Sequence, residues 1–139
     1  MKDFNCVSNF IKKNGMYYDS ALTEKNEYEM REDTNDYKYL WKKVGSKFLK
    51  GIAKELKLDE VKINYNKAGS ACSGDHTLIG MKGDKGIYIS FNADGLQYPN
   101  IFLYRTVTHM KDYTGGNNKY FSIDSDEYNV LNTLNSMLD

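Results

Sequence analysis

The sequence has little of several residue types on which specialised small proteins depend. Its 139 residues include two cysteines and one proline, which is too few thiols for a disulfide framework or a zinc site with four cysteine ligands. Lysine plus arginine and aspartate plus glutamate both number 19, so the formal net charge is zero. This balance excludes the strongly basic field of a protein that coats nucleic acid and the acidic excess of a DNA mimic.

The chain also lacks any long hydrophobic run. No stretch approaches the roughly 18 consecutive apolar residues that a transmembrane helix needs. Polar residues interrupt the first fifteen positions, where a signal peptide would need a continuous apolar core. We therefore expect no membrane partner and a cytoplasmic location in the host cell, where the thiols of Cys6 and Cys72 stay reduced.

What the chain does have is enough apolar material for one domain. Hydrophobic residues make up 40% and aromatic residues 14% of the sequence, which is not the composition of a disordered chain. We expect a single domain over residues 1–139, with a helical part at 1–58, a strand meander at 59–123 and a helix at 124–139. The β–α alternation of a doubly wound dinucleotide fold does not appear.

Two N-terminal segments have apolar residues at helical spacing. Residues 4–13 predict a helix with Asp3 as its N-cap and Asn14-Gly15 as its end. Residues 36–57 give the strongest helical pattern, with Asp36 as a cap at its start. Its apolar positions are Leu40, Trp41, Val44, Phe48, Ile52 and Leu56. The opposite arc carries Lys43, Lys47, Lys50, Lys54 and Lys57.

The segment between these helices, residues 15–36, is polar and acidic and has no clear period. We expect a long loop or a short exposed helix whose charges are solvated. Docking of this acidic patch onto a basic groove of a partner is the alternative.

From residue 59 the hydrophobic period changes from 3.6 towards 2, which is typical of strands with one buried face. The predicted strands are Val61–Tyr65, His76–Lys82, Ile87–Phe91, Ile101–Val107 and a short one around Tyr120–Ile123. The run Gly83–Gly86 predicts a hairpin turn. Asp124 with Glu127 has capping-box spacing, and Tyr128, Leu131, Leu134 and Leu138 are the apolar positions of a final helix. The predicted class is α+β, an antiparallel four- or five-stranded sheet with helices packed on one face.

The segment 104–121, YRTVTHMKDYTGGNNKYF, is the densest candidate site. Its Gly115–Asn118 run tolerates positive φ, so the turn can direct main-chain amides at an anion or a carbonyl. Arg105 is one of two arginines beside 17 lysines, and its planar fork binds a carboxylate or phosphate through two hydrogen bonds. The carboxylate is either a ligand's or that of Asp112, which would make the pair structural. The residues predicted to contact a partner are Tyr104, Arg105, His109, Lys111, Asp112, Tyr113, Gly115, Gly116, Asn117 and Asn118.

The loop 67–76, KAGSACSGDH, contains a second constellation. Cys72 with His76, or with His109 as an alternative base, has the residue types of a thiol nucleophile and its base. The alternative is a tight turn in which Cys72 is a small packing residue. Neither the two histidines nor the nearby aspartates form a paired metal motif. We expect no catalytic residue, no metal site and no cofactor.

Four separate pieces of the chain together resemble a known domain. They are the small-residue loop Gly69–Gly74, the strand Gly86–Phe91, the step Tyr104-Arg105-Thr106 and the turn Asp112-Tyr113-Thr114-Gly115-Gly116. Over about residues 60–123 the pattern resembles a small domain found in accessory proteins of plasmids, conjugative elements and phages. The resemblance implies a mobile-element origin and carries no established biochemical activity. Small stand-alone proteins of such elements often inhibit host defence systems, including CRISPR effectors and restriction enzymes.

These observations lead to three competing functions. The first is a non-enzymatic phage or plasmid protein that inhibits a host defence nuclease complex by protein–protein contact. The second is a nucleic-acid-binding accessory module, in which the five lysines follow a phosphate backbone. The third is a small Cys/His enzyme. A homodimer is compatible with each of them.

Overall fold

Five strands and three helices make up the described part of the chain. The structure is a computed structural model that describes residues 1–14, 34–67, 74–91, 101–113, 116–122 and 124–139. The helices are α1 (Cys6–Asn14), α2 (Thr34–Glu55) and α3 (Glu127–Met137). The strands are β1 (Glu60–Lys67), β2 (Gly74–Lys82), β3 (Lys85–Phe91), β4 (Ile101–Val107) and β5 (Lys119–Ser122).

The strands form one open antiparallel sheet in the order β1-β2-β3-β4-β5, so each strand pairs with its neighbour in sequence. The α+β class and the five-stranded antiparallel meander are therefore confirmed. Gly83 and Asp84 form the turn between β2 and β3, and Lys82 pairs with Lys85 beside it. Gly83 has a φ of 64°, which a glycine adopts without strain in a two-residue hairpin.

The alternation of side chains gives the sheet two different faces. On the face covered by helices, here called the helix face, Leu78 and Ile89 are buried together with the apolar side of α2. The opposite face, here called the outer face, carries Ile79, Tyr88 and Arg105. Full burial of one such aliphatic side chain contributes about 1.5–3 kcal/mol, so the helix face is the main source of stability.

The bounds of α2 differ from the prediction at both ends. The helix begins at Thr34, so Asp36 lies inside its first turn and is not the N-cap. It ends at Glu55, and Lys57 follows with a left-handed φ of 54°. Leu40 was predicted to be in the core but is 46% exposed, whereas Leu49 is fully buried. The buried side of α2 is formed by Trp41 and by residues that follow it at helical spacing, among them Phe48 and Ile52. Leu40 lies at the margin of this buried side and is therefore partly exposed.

The last helix, α3, uses a different cap from the predicted one. The carboxylate of Asp126 accepts hydrogen bonds from the main-chain N–H groups of Tyr128 (3.2 Å) and Asn129 (3.4 Å), so Asp126 is the N-cap rather than Asp124. Tyr128 is 71% exposed and does not belong to the apolar side of the helix. Val130 and Leu134 are the residues that this helix buries.

Candidate interaction site

Residues 108–113, which follow β4, fold back over the outer face of the sheet. They add to a small second core, formed by Ile79, Met81 and Val107 with Tyr88 and Met110 packed against them. The ring of Tyr113 meets the ring of Tyr88 edge-on, with 6.4 Å between the ring centres. The start of the connection from β4 to β5, residues 108–113, is thus held by apolar contacts to three strands.

Arg105 fixes the connection in place. Its side chain is 3% exposed. Its Nη2 donates a hydrogen bond of 2.6 Å to the main-chain oxygen of Asp112, and its Nη1 lies 3.4 Å from Oδ1 of the same residue. The guanidinium also lies over the ring of Tyr88, 4.8 Å from its centre. The planar group thus combines a carboxylate contact, a carbonyl contact and an aromatic contact, which a lysine ammonium cannot do.

Two further contacts close the arrangement around Arg105. The second carboxylate oxygen of Asp112 accepts a hydrogen bond of 3.3 Å from the main-chain N–H of Thr108. Gly116, with a φ of 80°, lies against the arginine stem, where a Cβ would be 3.2 Å from Cδ of Arg105. Glycine adopts this backbone conformation without strain, whereas a larger residue would be strained and would also require the arginine stem to shift by a few tenths of an ångström. We call the contacts of Arg105 with Asp112 and Tyr88 the latch.

The latch leaves a set of polar and aromatic side chains on the surface. Exposed around it are His109, Lys111, Tyr113, Gly116, Asn117 and Asn118. The Nδ1 of His109 accepts a hydrogen bond of 3.2 Å from the main-chain N–H of Lys111, which orients the imidazole. Tyr113 is 41% exposed. This surface offers one cation, an aromatic ring and several amide and imidazole hydrogen-bonding groups, which suits contact with a polar macromolecular surface.

Three of the predicted contact residues do not lie on this surface. One is Asp112, which is half-buried and whose carboxylate contacts Arg105 and Thr108. Tyr104 is 7% exposed, because it points to the helix face and stacks on Phe121 with ring centres 4.3 Å apart. Burial also raises the pKa of its hydroxyl. Arg105 is buried and bonded to Asp112, which is the arrangement that the structural one of the two interpretations expects. Gly115, predicted as a contact, lies outside the described residues.

The sequence-based reasoning missed the strand residues beneath the connection. Tyr88 supports both Arg105 and Tyr113. A shallow groove beside it is lined by Glu60, Val61, Lys62, Met110, Lys111 and Tyr113. The alternation of apolar and polar residues in β3 places Tyr88 on the face opposite the main core. This alternation is the only feature of the sequence that could have pointed to Tyr88 as part of the site. The spacing of residues in the sequence does not show that Tyr88 of β3 lies beside Arg105 of β4.

The lysines of α2 form a second exposed surface. Lys43, Lys47, Lys50 and Lys54 lie along the helix and are exposed, and Lys57 is exposed beyond its end. Some of this charge has local partners. The Nζ of Lys47 lies 3.6 Å from a carboxylate oxygen of Asp3, and the Nζ of Lys43 lies 5.5 Å from the ring centre of Tyr39.

His76 lies in the core, where it is fully buried. Its Nε2 is 3.1 Å from the main-chain oxygen of Trp41, and its ring stacks on Phe91 with centres 5.1 Å apart. Burial lowers the pKa of the imidazole to about 4. His76 thus points to the helix face, whereas His109 belongs to the connection on the outer face, so these two histidines do not share a site.

The catalytic and metal-site alternatives also involve the cysteines and the acidic residues. Cys72 lies outside the described residues. Cys6 is a half-buried free thiol, and burial raises its pKa to about 11, which opposes thiolate formation. Within the ranges that the structure describes, no three His, Cys, Asp or Glu side chains converge as metal ligands, and no helix is long and apolar enough to cross a membrane.

No family model, curated protein sequence or solved structure matches this chain.

Proposed function

We propose that this chain is a non-enzymatic binding protein of a phage or plasmid that inhibits a host nuclease complex, of the CRISPR or restriction type, by protein–protein contact. The latch is the observation that carries this proposal. In the latch, a buried arginine holds the residues that follow β4 against the sheet, and the side chains around the latch are polar and exposed. A loop held in one conformation loses little entropy when it binds, which increases affinity.

The class of partner follows from the resemblance of residues 60–123 to accessory domains of mobile elements. A surface with a partly exposed tyrosine and an exposed lysine is suited to blocking a site on another protein, because tyrosines that become buried on binding often dominate the binding energy of such interfaces. The catalytic alternative has less support, since His76 is enclosed by the core and its pKa of about 4 makes it a weak general base at neutral pH.

Affinity capture and a cleavage assay test the proposal together. The full chain is immobilised and exposed to a panel of purified CRISPR effectors and restriction enzymes, and each enzyme is also assayed for DNA cleavage with the chain added. We expect at least one enzyme to be both retained and inhibited. If no enzyme is retained and none is inhibited, the proposal is wrong.

Two tyrosine variants locate the interface. Tyr113→Ala removes an exposed ring from the latched connection, and Tyr128→Ala removes an exposed ring from α3, outside that connection. We expect Tyr113→Ala to weaken inhibition by about tenfold or more, as is typical of a central interface tyrosine, and Tyr128→Ala to leave it unchanged. Equal effects of the two substitutions would exclude the latched connection as the interface.

A second candidate function, nucleic-acid binding, is favoured by the exposure of the lysines along α2. Four of them at successive turns form a cationic face, and binding through them would weaken steeply as salt is raised. The triple variant Lys43→Glu, Lys47→Glu and Lys50→Glu would abolish it. Lys85→Glu, at the start of β3, is the matched control. Absent or salt-independent binding of single- and double-stranded DNA and RNA would eliminate this function.

A further inference from the structure

The two edges of the sheet differ in how they are protected. β5, at one edge, has four residues, whereas β1, at the other edge, has eight. β1 pairs with β2 over all eight residues in an unbroken register, without a bulge or proline. In the described part of the chain, β1 has a strand neighbour on one side only. Long, regular edge strands without such interruptions readily pair with another strand.

The side chains of β1 are suited to such pairing. Val61, Ile63 and Tyr65 alternate towards the helix face, and Val61 is 38% exposed. Ile63 and Tyr65 are half-buried against the main core. The outer face carries Lys62 and Asn64. A strand added beside β1 would therefore cover apolar surface on one face and meet polar groups on the other.

A second copy of β1 is a complementary partner in one antiparallel register. If the helices of both copies are on the same side, residues of the helix face must oppose each other. Pairing Ile63 with Ile63 of the second copy meets this condition. It places Val61 opposite Tyr65 of the second copy, and Lys62 opposite Asn64 of the second copy.

The neighbouring registers are less favourable. Moving the second copy by two residues, so that Val61 opposes its Ile63, brings Lys62 against Lys62 of the second copy, and like charges in directly opposed positions repel. Moving it the other way places Val61 against Lys67 of the second copy and loses the contact between the two Ile63 side chains. The pattern of the strand thus selects the register centred on Ile63.

We infer that β1 is a self-association edge, at which two copies of this chain pair antiparallel with Ile63 on the two-fold axis and form one continuous sheet. This inference rests on β1 and does not depend on the proposed function.

Disulfide trapping tests the surface and the register. In Ile63→Cys, the two substituted residues would have a Cα separation of about 4.5–5.5 Å, which a disulfide can span. In Val61→Cys, the two substituted residues would be offset by four positions, about 13 Å along the strand, which a disulfide cannot span. The unsubstituted chain, treated with the same oxidant, gives the background from its two native cysteines. Circular dichroism verifies that each variant folds.

We expect a monomer–dimer equilibrium by sedimentation, covalent dimer in oxidised Ile63→Cys, and only background dimer in Val61→Cys. A mixture of Val61→Cys with Tyr65→Cys should form a covalent heterodimer. A chain that stays monomeric at millimolar concentration would overturn the inference, as would a dimer in which Ile63→Cys does not cross-link above background. Both measurements use the chain alone, so failure to find a defence nuclease would not affect them.

Discussion

The imidazole of His76 fills the space that any side chain at position 45 would need. A Cβ built on Gly45 would overlap the imidazole of His76 at Nε2, and the same nitrogen is 3.1 Å from the main-chain oxygen of Trp41. The backbone of α2 therefore approaches β2 directly at this point. A glycine in a helix interior costs about 1 kcal/mol relative to alanine, and here the close approach explains why glycine is present.

We expect Gly45→Ala to reduce the free energy of unfolding by about 1–3 kcal/mol, the usual cost of overpacking a core. The methyl group would displace an enclosed ring, and this cost exceeds the gain in helix propensity. Urea denaturation followed by circular dichroism measures the change. The matched control is Gly51→Ala in the same helix, where the nearest atom to a Cβ is Cε of Met1 at 2.7 Å, the end of a flexible side chain. Gly51→Ala should be neutral or stabilising; equal destabilisation by both would contradict the assigned role of His76.

The buried histidine should make stability depend on pH. Its pKa in the folded state is about 4, below the ordinary value of 6.5, so the unfolded chain takes up a proton that the folded chain does not. Stability is therefore retained above about pH 6.5 and falls as the pH is lowered towards 4, by up to about 3 kcal/mol from this residue. Urea midpoints measured between pH 6.5 and 5 should decrease more steeply for the parent than for His76→Phe. Parallel pH profiles for the two proteins would refute the assignment.

The latch predicts a difference between two conservative substitutions. Arg105→Lys keeps the charge but loses the planar fork, and we expect a loss of about 1.5–3 kcal/mol, the range for hydrogen bonds to charged groups. Asp112→Asn leaves the main-chain acceptor at 2.6 Å in place and should cost less. Hydrogen exchange of the amides at 108–113 should accelerate in Arg105→Lys. Unchanged exchange in that variant would show that the apolar contacts of Met110 suffice without the arginine.

The N-cap of α3 gives a fourth prediction. Asp126→Ala removes the acceptor for two helix N–H groups and should lower the free energy of unfolding by about 1 kcal/mol. Asp126→Asn retains an acceptor oxygen of the same reach and should be close to the parent. Thermal unfolding of the three proteins compares them. A result in which Asn is as harmful as Ala would mean that the charge of Asp126 matters more than its capping geometry.

The strands were predictable from the sequence because their alternation is a local property. Val61, Ile63 and Tyr65 alternate with polar residues, and so do Ile87, Ile89 and Phe91; all of these lie in strands. The helix ends were less predictable. Asp124 and Asp126 both precede α3, and the choice between them depends on where the chain leaves β5, which is a tertiary property.

The candidate site was predictable in part for a similar reason. The pairing of Arg105 with Asp112 could be anticipated because the two opposite charges are only seven residues apart, one near the end of β4 and the other in the connection that follows it. The support from Tyr88 could not, since it requires the register in which Tyr88 pairs with Arg105 across two strands. Tyr104 was predicted to be a contact residue, but consecutive residues of a strand point to opposite faces of the sheet. Tyr104 therefore lies on the helix face, whereas Arg105 lies on the outer face.

The order of the strands has a consequence for how the chain folds. Since every strand that the structure describes pairs with its neighbour in sequence, the sheet can grow by adding one strand at a time, and the entropy lost at each closure is small. The turn at Gly83 and Asp84 joins β2 to β3 with only two residues, so we expect the β2–β3 hairpin to form early and to act as a nucleus for the rest. Substitutions in that hairpin should then slow refolding, while those in α3 should mainly accelerate unfolding.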